Sequence, residues 1–86
     1  MRIKYIIVNA GFGTEAPILF SELLKHNEVA GNRQVISAGF VQISAEEKDG
    51  EQVLVATCYG ESTSLDIKSR EEEDSRIVTS QLFSRY

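Results

Sequence analysis

The chain is short of the residues that usually announce chemistry: 86 residues hold one cysteine, one histidine, one proline and no tryptophan. With Cys58 alone no intramolecular disulfide can form, whereas small secreted domains usually carry several, so a reducing, cytoplasmic setting is expected. One Cys and one His, far apart in sequence, offer no zinc spacing, and no metal or other cofactor is expected. Long apolar runs are also missing. Tyr5 to Val8 is too short for a signal sequence, which needs about 7–15 apolar residues, or for a membrane span, which needs about 18. A basic excess is lacking as well: nine Lys and Arg stand against thirteen Asp and Glu, for a net charge of −4. Nucleic-acid binders draw most of their non-specific affinity from clustered cations, so a nucleic-acid partner is disfavoured.

What remains reads as one α+β domain over residues 1–86. Arg2 to Asn9 is β-branched and aromatic, with Ile3, Tyr5 and Ile7 on one face and Lys4, Ile6 and Val8 on the other. Two largely apolar faces suggest an interior strand. The closely spaced Gly11 and Gly13 end it in a turn. Pro17 to Phe20 reads as extended, with a short helix over Glu22 to His26 capped by Ser21; the rival reading places Pro17 in the first helical turn. Gln34 to Ser44 and Glu51 to Tyr59 form a central hairpin closed by Asp49-Gly50, a favoured turn pair. Gly39 interrupts the first of these strands and marks a bulge or a close backbone approach. Leu65 to Lys68 is a candidate short strand. Ser69-Arg70-Glu71-Glu72 reads as a capping box opening the longer, C-terminal helix, whose apolar face is Ile77, Val78, Leu82 and Phe83. Tyr86 is expected to lie close to that helix. The order predicts three or four mostly antiparallel strands, with both helices packed on one face.

Few constellations could carry chemistry. Gly11-Phe12-Gly13-Thr14-Glu15-Ala16 follows an apolar strand in the G-x-G-x-x-A pattern whose backbone N–H groups can face an anion. Pro17 follows at once, and 86 residues are too few for a two-half nucleotide fold. His26 suits a helix C-terminus, and as a general base it would need Cys58 or Ser62 nearby. Cys58 alternates with Leu54 and Ala56, the pattern of a buried, inert thiol. Gly60-Glu61-Ser62 has a G-x-S core, but Ser64 stands where a nucleophile elbow has its second glycine. Glu46, Glu47, Asp49 and Glu51 read as a solvated turn, and Glu72 with Arg76 as a helix-face pair.

The strings SAGFV (Ser37 to Val41), CYGES (Cys58 to Ser62), Ser64-Leu65 and IKSR (Ile67 to Arg70) resemble a group of short bacterial hypothetical proteins, some associated with prophages or other mobile elements. With the APILF segment and His26, the similarity spans most of the chain. The resemblance implies a small, standalone bacterial cytosolic protein and transfers no catalytic residue. Composition and motifs together predict a non-enzymatic interaction or regulatory module with a protein partner, and self-pairing into a homodimer as a second partner choice. The alternative is a small-ligand or anion-binding protein, with or without catalysis. Its site would comprise Gly11, Gly13, Thr14, His26, Tyr59, Glu61 and Ser62, and would join in one concave pocket.

Overall fold

In the computed structural model, which describes residues 2–83, the chain enters a four-stranded antiparallel sheet at once. Strand β1 (Ile3–Gly11) turns into β2 (Thr14–Ser21), and a short helix α1 (His26–Ala30) leads to β3 (Val35–Lys48) and β4 (Glu51–Tyr59). The sheet order is β2-β1-β3-β4. Two short strands, β5 (Glu61–Ser62) and β6 (Ile67–Lys68), pair with each other beside β3. Helix α2 (Glu71–Val78) then runs into a wider, π-type turn over Thr79–Phe83. The expectation for Tyr86 lies outside the described residues.

The apolar doubleness of β1 explains the layering. Tyr5 and Ile7 pack with Val41, Ala56, Cys58 and Val78 of α2, while Ile6 and Val8 pack with Ala38 and Ala30 of α1. The helices therefore sit on opposite faces of the sheet, not on one. An interior strand with two apolar faces needs cover on both sides, and each helix supplies one.

Pro17 to Phe20 is extended, as the sequence favours, within a β2 that pairs residue by residue with β1, Ile7 opposite Pro17 and Tyr5 opposite Leu19. Both helix starts shift. The helix does not cover Glu22 to His26 but begins at His26. Ser21 Oγ instead accepts from the Leu23 N–H at 3.1 Å, closing a turn. At α2, Ser69 is not the cap. Its hydroxyl lies 2.7 Å from Tyr5 Oη, and Asp74 Oδ2 takes the Arg70 backbone N–H at 3.0 Å.

That carboxylate is the centre of a buried network. Asp74 is fully buried; Tyr5 Oη donates to its Oδ2 at 2.5 Å, and the Arg70 guanidinium sits 2.9 Å from its Oδ1. Since Tyr5 has one proton to give, Ser69 donates to the phenol. Arg70 also pairs with Glu73 at 3.1 Å and, across to β2, with Glu15 at 2.8 Å. Glu72 and Arg76 lie on the solvated helix face that the sequence suggests, with no ion pair between them. Burial, together with the hydrogen bond to the Asp74 carboxylate, pushes the Tyr5 phenol well above its ordinary value.

Helix α2 also closes an edge. The Cys58 N–H donates to Ser75 Oγ at 2.7 Å and the Ala56 N–H to Thr79 Oγ1 at 3.0 Å. One helical turn, about 5.4 Å, nearly matches two strand residues, about 6.8 Å, so hydroxyls four apart meet amides two apart. A free strand edge invites another strand, and here the chain's own helix occupies it.

Gly39 is a close approach and not a bulge; the register shift lies at Ile7/Val8. A Cβ on Gly39 would stand 2.4 Å from the Tyr59 carbonyl oxygen and 3.3 Å from Ser69 Cβ. At this crossing the β3–β4 pairing ends, at Phe40 and Tyr59, and the β5–β6 pair packs against β3 as a separate small sheet.

Candidate functional site

The sequence-derived site residues separate into two places. Lys4 and Gly11 are seven residues apart along an extended strand, about 23 Å. Gly11, Gly13 and Thr14 belong to the β1–β2 turn at one end of the sheet. His26, Tyr59 and Glu61 gather near the start of β1, where they line a cleft of about 430 Å³ together with Arg2, Lys4, Phe40, Gly60 and Thr63. Ser62 lies fully buried behind it, its Oγ accepting the Leu65 N–H at 3.2 Å. The single pocket joining all seven does not exist.

The turn is the simpler of the two. Phe12 and Gly13 both have positive φ, 54° and 74°, in a two-residue connection between the paired Gly11 and Thr14. No ligand cradle forms there: the strand continues into a strand, not into a helix whose N–H groups would converge on an anion. Phe12 instead projects wholly into solvent at 106% relative exposure. The sequence marked the glycines and passed over the aromatic between them. The hint was available, since asparagine or aspartate is the usual residue before glycine in such a turn.

The cleft is built from five segments meeting at the Gly39 crossing. His26, at the first position of α1, is 4% exposed. Its Nε2 donates to the Gly39 carbonyl at 2.8 Å, which fixes that tautomer and leaves Nδ1 as an acceptor. The ring stands edge-on to Phe20 and Phe40, with centroids 5.4 and 6.0 Å away. Burial is the main reason its pKa falls below the ordinary 6.5, so it is neutral near pH 7. Phe40 stacks on Tyr59 at 5.8 Å, and the Arg2 guanidinium lies 4.1 Å from the Phe40 centroid, a cation–π distance. A second hollow of about 280 Å³ adjoins, lined by Lys4, Lys25, His26, Thr63 and Ser64. Lys4, His26 and Thr63 border both hollows.

No protein-family model matches the chain, and no curated protein or solved structure is similar to it at a significant level.

The geometry of the cleft suits binding better than bond-breaking. Cys58 packs with Tyr5 and Ile7, on the α2 side of the sheet, whereas His26 lies on the α1 side with Phe20 and Phe40. The two cannot form a nucleophile–base pair. Burial pushes the Cys58 thiol up to about 11, which leaves almost no thiolate at neutral pH. Among the described residues no group of three or more His, Cys, Asp or Glu could hold a metal ion. No helix among them is long and apolar enough to cross a membrane.

Proposed function

We propose that this chain is a small, non-enzymatic interaction module of the bacterial cytosol that docks a protein partner through the tip of the β1–β2 hairpin. One observation carries the reading: Phe12 is fully exposed and at positive φ. A bulky residue in the left-handed region costs about 1–2 kcal/mol, and an exposed phenylalanine ring gains nothing from the fold. Both costs are local, and both would vanish with asparagine at this position. Aromatic side chains presented on rigid supports are the usual anchors of protein interfaces. The base of the hairpin is held on both sides, because β1 pairs with β2 and β3 as far as Val8, and the last turn beyond it pairs with β2.

The test uses wild type and Phe12→Asn as paired baits in a bacterial lysate, followed by reconstitution with the captured protein in purified form. A purified partner should bind wild type with Kd of about 10 μM or tighter and lose at least about tenfold with Phe12→Asn. A partner that binds both chains equally, or none that reconstitutes, overturns the assignment.

A second copy of this chain is the other partner supported by a specific feature. Ser75 and Thr79 cover the outer edge of β4 at Cys58 and Ala56, but the stretch from Glu51 to Leu54 extends past them, with Leu54 45% exposed. Self-pairing would use that stretch, and light scattering showing only monomer at about 100 μM would remove it.

A further inference from the structure

We propose that the two adjoining hollows around His26 form one binding site for a nucleoside monophosphate, or a compound of the same plan: a phosphate joined to a planar ring that carries hydrogen-bond donors. The hollows differ in lining, and the difference assigns the two halves of the ligand. The smaller hollow has two ammonium groups, Lys4 and Lys25, two exposed hydroxyls, Thr63 and Ser64, and no carboxylate. That set suits a phosphate: cations supply charge, and hydroxyls donate to the equatorial oxygens. The larger hollow has the Arg2 guanidinium, the Phe40 and Tyr59 rings and the Glu61 carboxylate. Arg2, Phe40 and Tyr59 already stack on one another, and a flat ring can extend that stack from its Arg2 or Tyr59 end; Glu61, an acceptor only, suits a ring amine or amide N–H. His26, shared by both, is neutral and has spent Nε2 on Gly39, so Nδ1 offers an acceptor where a sugar hydroxyl would pass.

The electrostatics single out this face. The chain carries a net charge of −4, yet Arg2, Lys4 and Lys25 all border these hollows. Their charges are little spent within the protein. Lys4 Nζ donates to the Leu24 carbonyl at 2.8 Å, a neutral partner, and Arg2, which lies over the Phe40 ring, meets a half-buried Glu22 only at 3.9 Å. Cations gathered on an otherwise acidic molecule create a local positive potential that draws anions inward. The larger hollow alone, about 430 Å³, falls within the range of small-molecule sites. His26, bonded to the Gly39 carbonyl, and the stacked Phe40 and Tyr59 rings are held in place by the fold itself, which lowers the cost of ordering on binding.

The experiment is an amide-resolved NMR titration of the full chain at low salt with the four common nucleoside monophosphates, phenyl phosphate, a nucleoside and inorganic phosphate. At least one nucleoside monophosphate should saturate a single site with Kd below about 1 mM, shifting Lys4, His26 and Tyr59 to Ser64. Inorganic phosphate and the nucleoside should each bind at least about tenfold more weakly. Lys25→Gln, an exposed change, should weaken the phosphate-bearing probes about threefold to tenfold and leave the nucleoside unchanged. Glu61→Gln should alter the ranking among the four bases. Glu47→Gln, on the distant hairpin arm, should change nothing. The proposal is overturned if no probe saturates these amides at about 5 mM, or if inorganic phosphate binds as well as every nucleotide. Partner capture through Phe12 is measured separately, so failure of either leaves the other standing.

Discussion

Phe12 and Asp49 hold the same backbone position in two matching hairpin turns, at φ 54° and 53°, each followed by a glycine at positive φ. One turn has the residue the geometry favours, and the other has a residue it disfavours. The flanking pairs are Gly11 with Thr14 and Lys48 with Glu51, and the first turn alone is preceded by a register shift at Asn9–Gly11. The second turn thus serves as an internal reference for what the first forgoes.

Phe12→Asn should raise stability by about 1 kcal/mol, because asparagine tolerates this backbone and no packing is lost. The reciprocal Asp49→Phe should lower it by a similar amount. Urea unfolding with an unchanged m-value measures both. A Phe12→Asn chain no more stable than wild type would mean the turn carries no strain.

Gly39→Ala should destabilise by about 3 kcal/mol or more, since the new methyl would meet the Tyr59 backbone oxygen at 2.4 Å and not a side chain able to swing away. The His26 bond to the Gly39 carbonyl should weaken with it. The thermal midpoint reports the first effect, and the His26 ring shifts report the second.

Removing the Asp74 carboxylate takes an acceptor from three donors, the Tyr5 phenol, the Arg70 amide and Arg70 Nε, while the Arg70 guanidinium keeps Glu15 and Glu73. Asp74→Asn should cost about 2–4 kcal/mol, and Tyr5→Phe about 1–2 kcal/mol. The double variant should cost less than the sum, because the two side chains share one hydrogen bond. Additive losses in a denaturation cycle would show that they act separately.

Stability should be greatest between about pH 6.5 and 9 and fall on both sides. Folding lowers the His26 pKa from 6.5, so the unfolded chain takes up its proton first and stability declines as the pH drops below that value. Folding raises the Cys58 thiol from 9.0 to about 11 and the Tyr5 phenol above 10.0. Both deprotonate more readily when unfolded, and stability declines as the pH rises through 9. Cys58→Ala should remove part of the alkaline slope, on the order of 1–2 kcal/mol between pH 8 and 11. His26→Gln should flatten the acid side. Urea midpoints across the range measure all three, and an unchanged alkaline limb in Cys58→Ala would show that the thiol titrates alike in both states.

What the sequence made legible follows the reach of the forces involved. The Asp49-Gly50 hairpin depends on neighbouring residues and was readable. The β1–β2 hairpin depends on the same geometry and was half legible: Gly11 and Gly13 mark the turn and Pro17 to Phe20 reads as extended, but phenylalanine at the position of a turn residue hides the pairing. The α2 start was misassigned for a different reason: a Ser-x-x-Glu pattern is local, whereas the tyrosine that engages Ser69 lies 64 residues away. The apolar faces of β1 did show an interior strand, and two covering layers follow from them. The cleft was half visible. His26, Tyr59 and Glu61 stood out by type, but Arg2, Lys4 and Phe40 join them only through strand pairing, with Lys4 opposite Phe40 and Phe40 opposite Tyr59.

The hydroxyls of Ser75 and Thr79 that occupy the β4 edge also set an order of events. The sheet can pair its four strands from residues 3–59, yet its outer amides at Ala56 and Cys58 stay open until a segment some twenty residues later arrives. During synthesis, at about 5–20 residues per second, that interval lasts seconds, long enough for a second nascent chain to compete for the same amides. Ser75→Ala with Thr79→Val would make the interval permanent. The expected phenotype is loss of soluble yield at high expression, out of proportion to the change in folded stability.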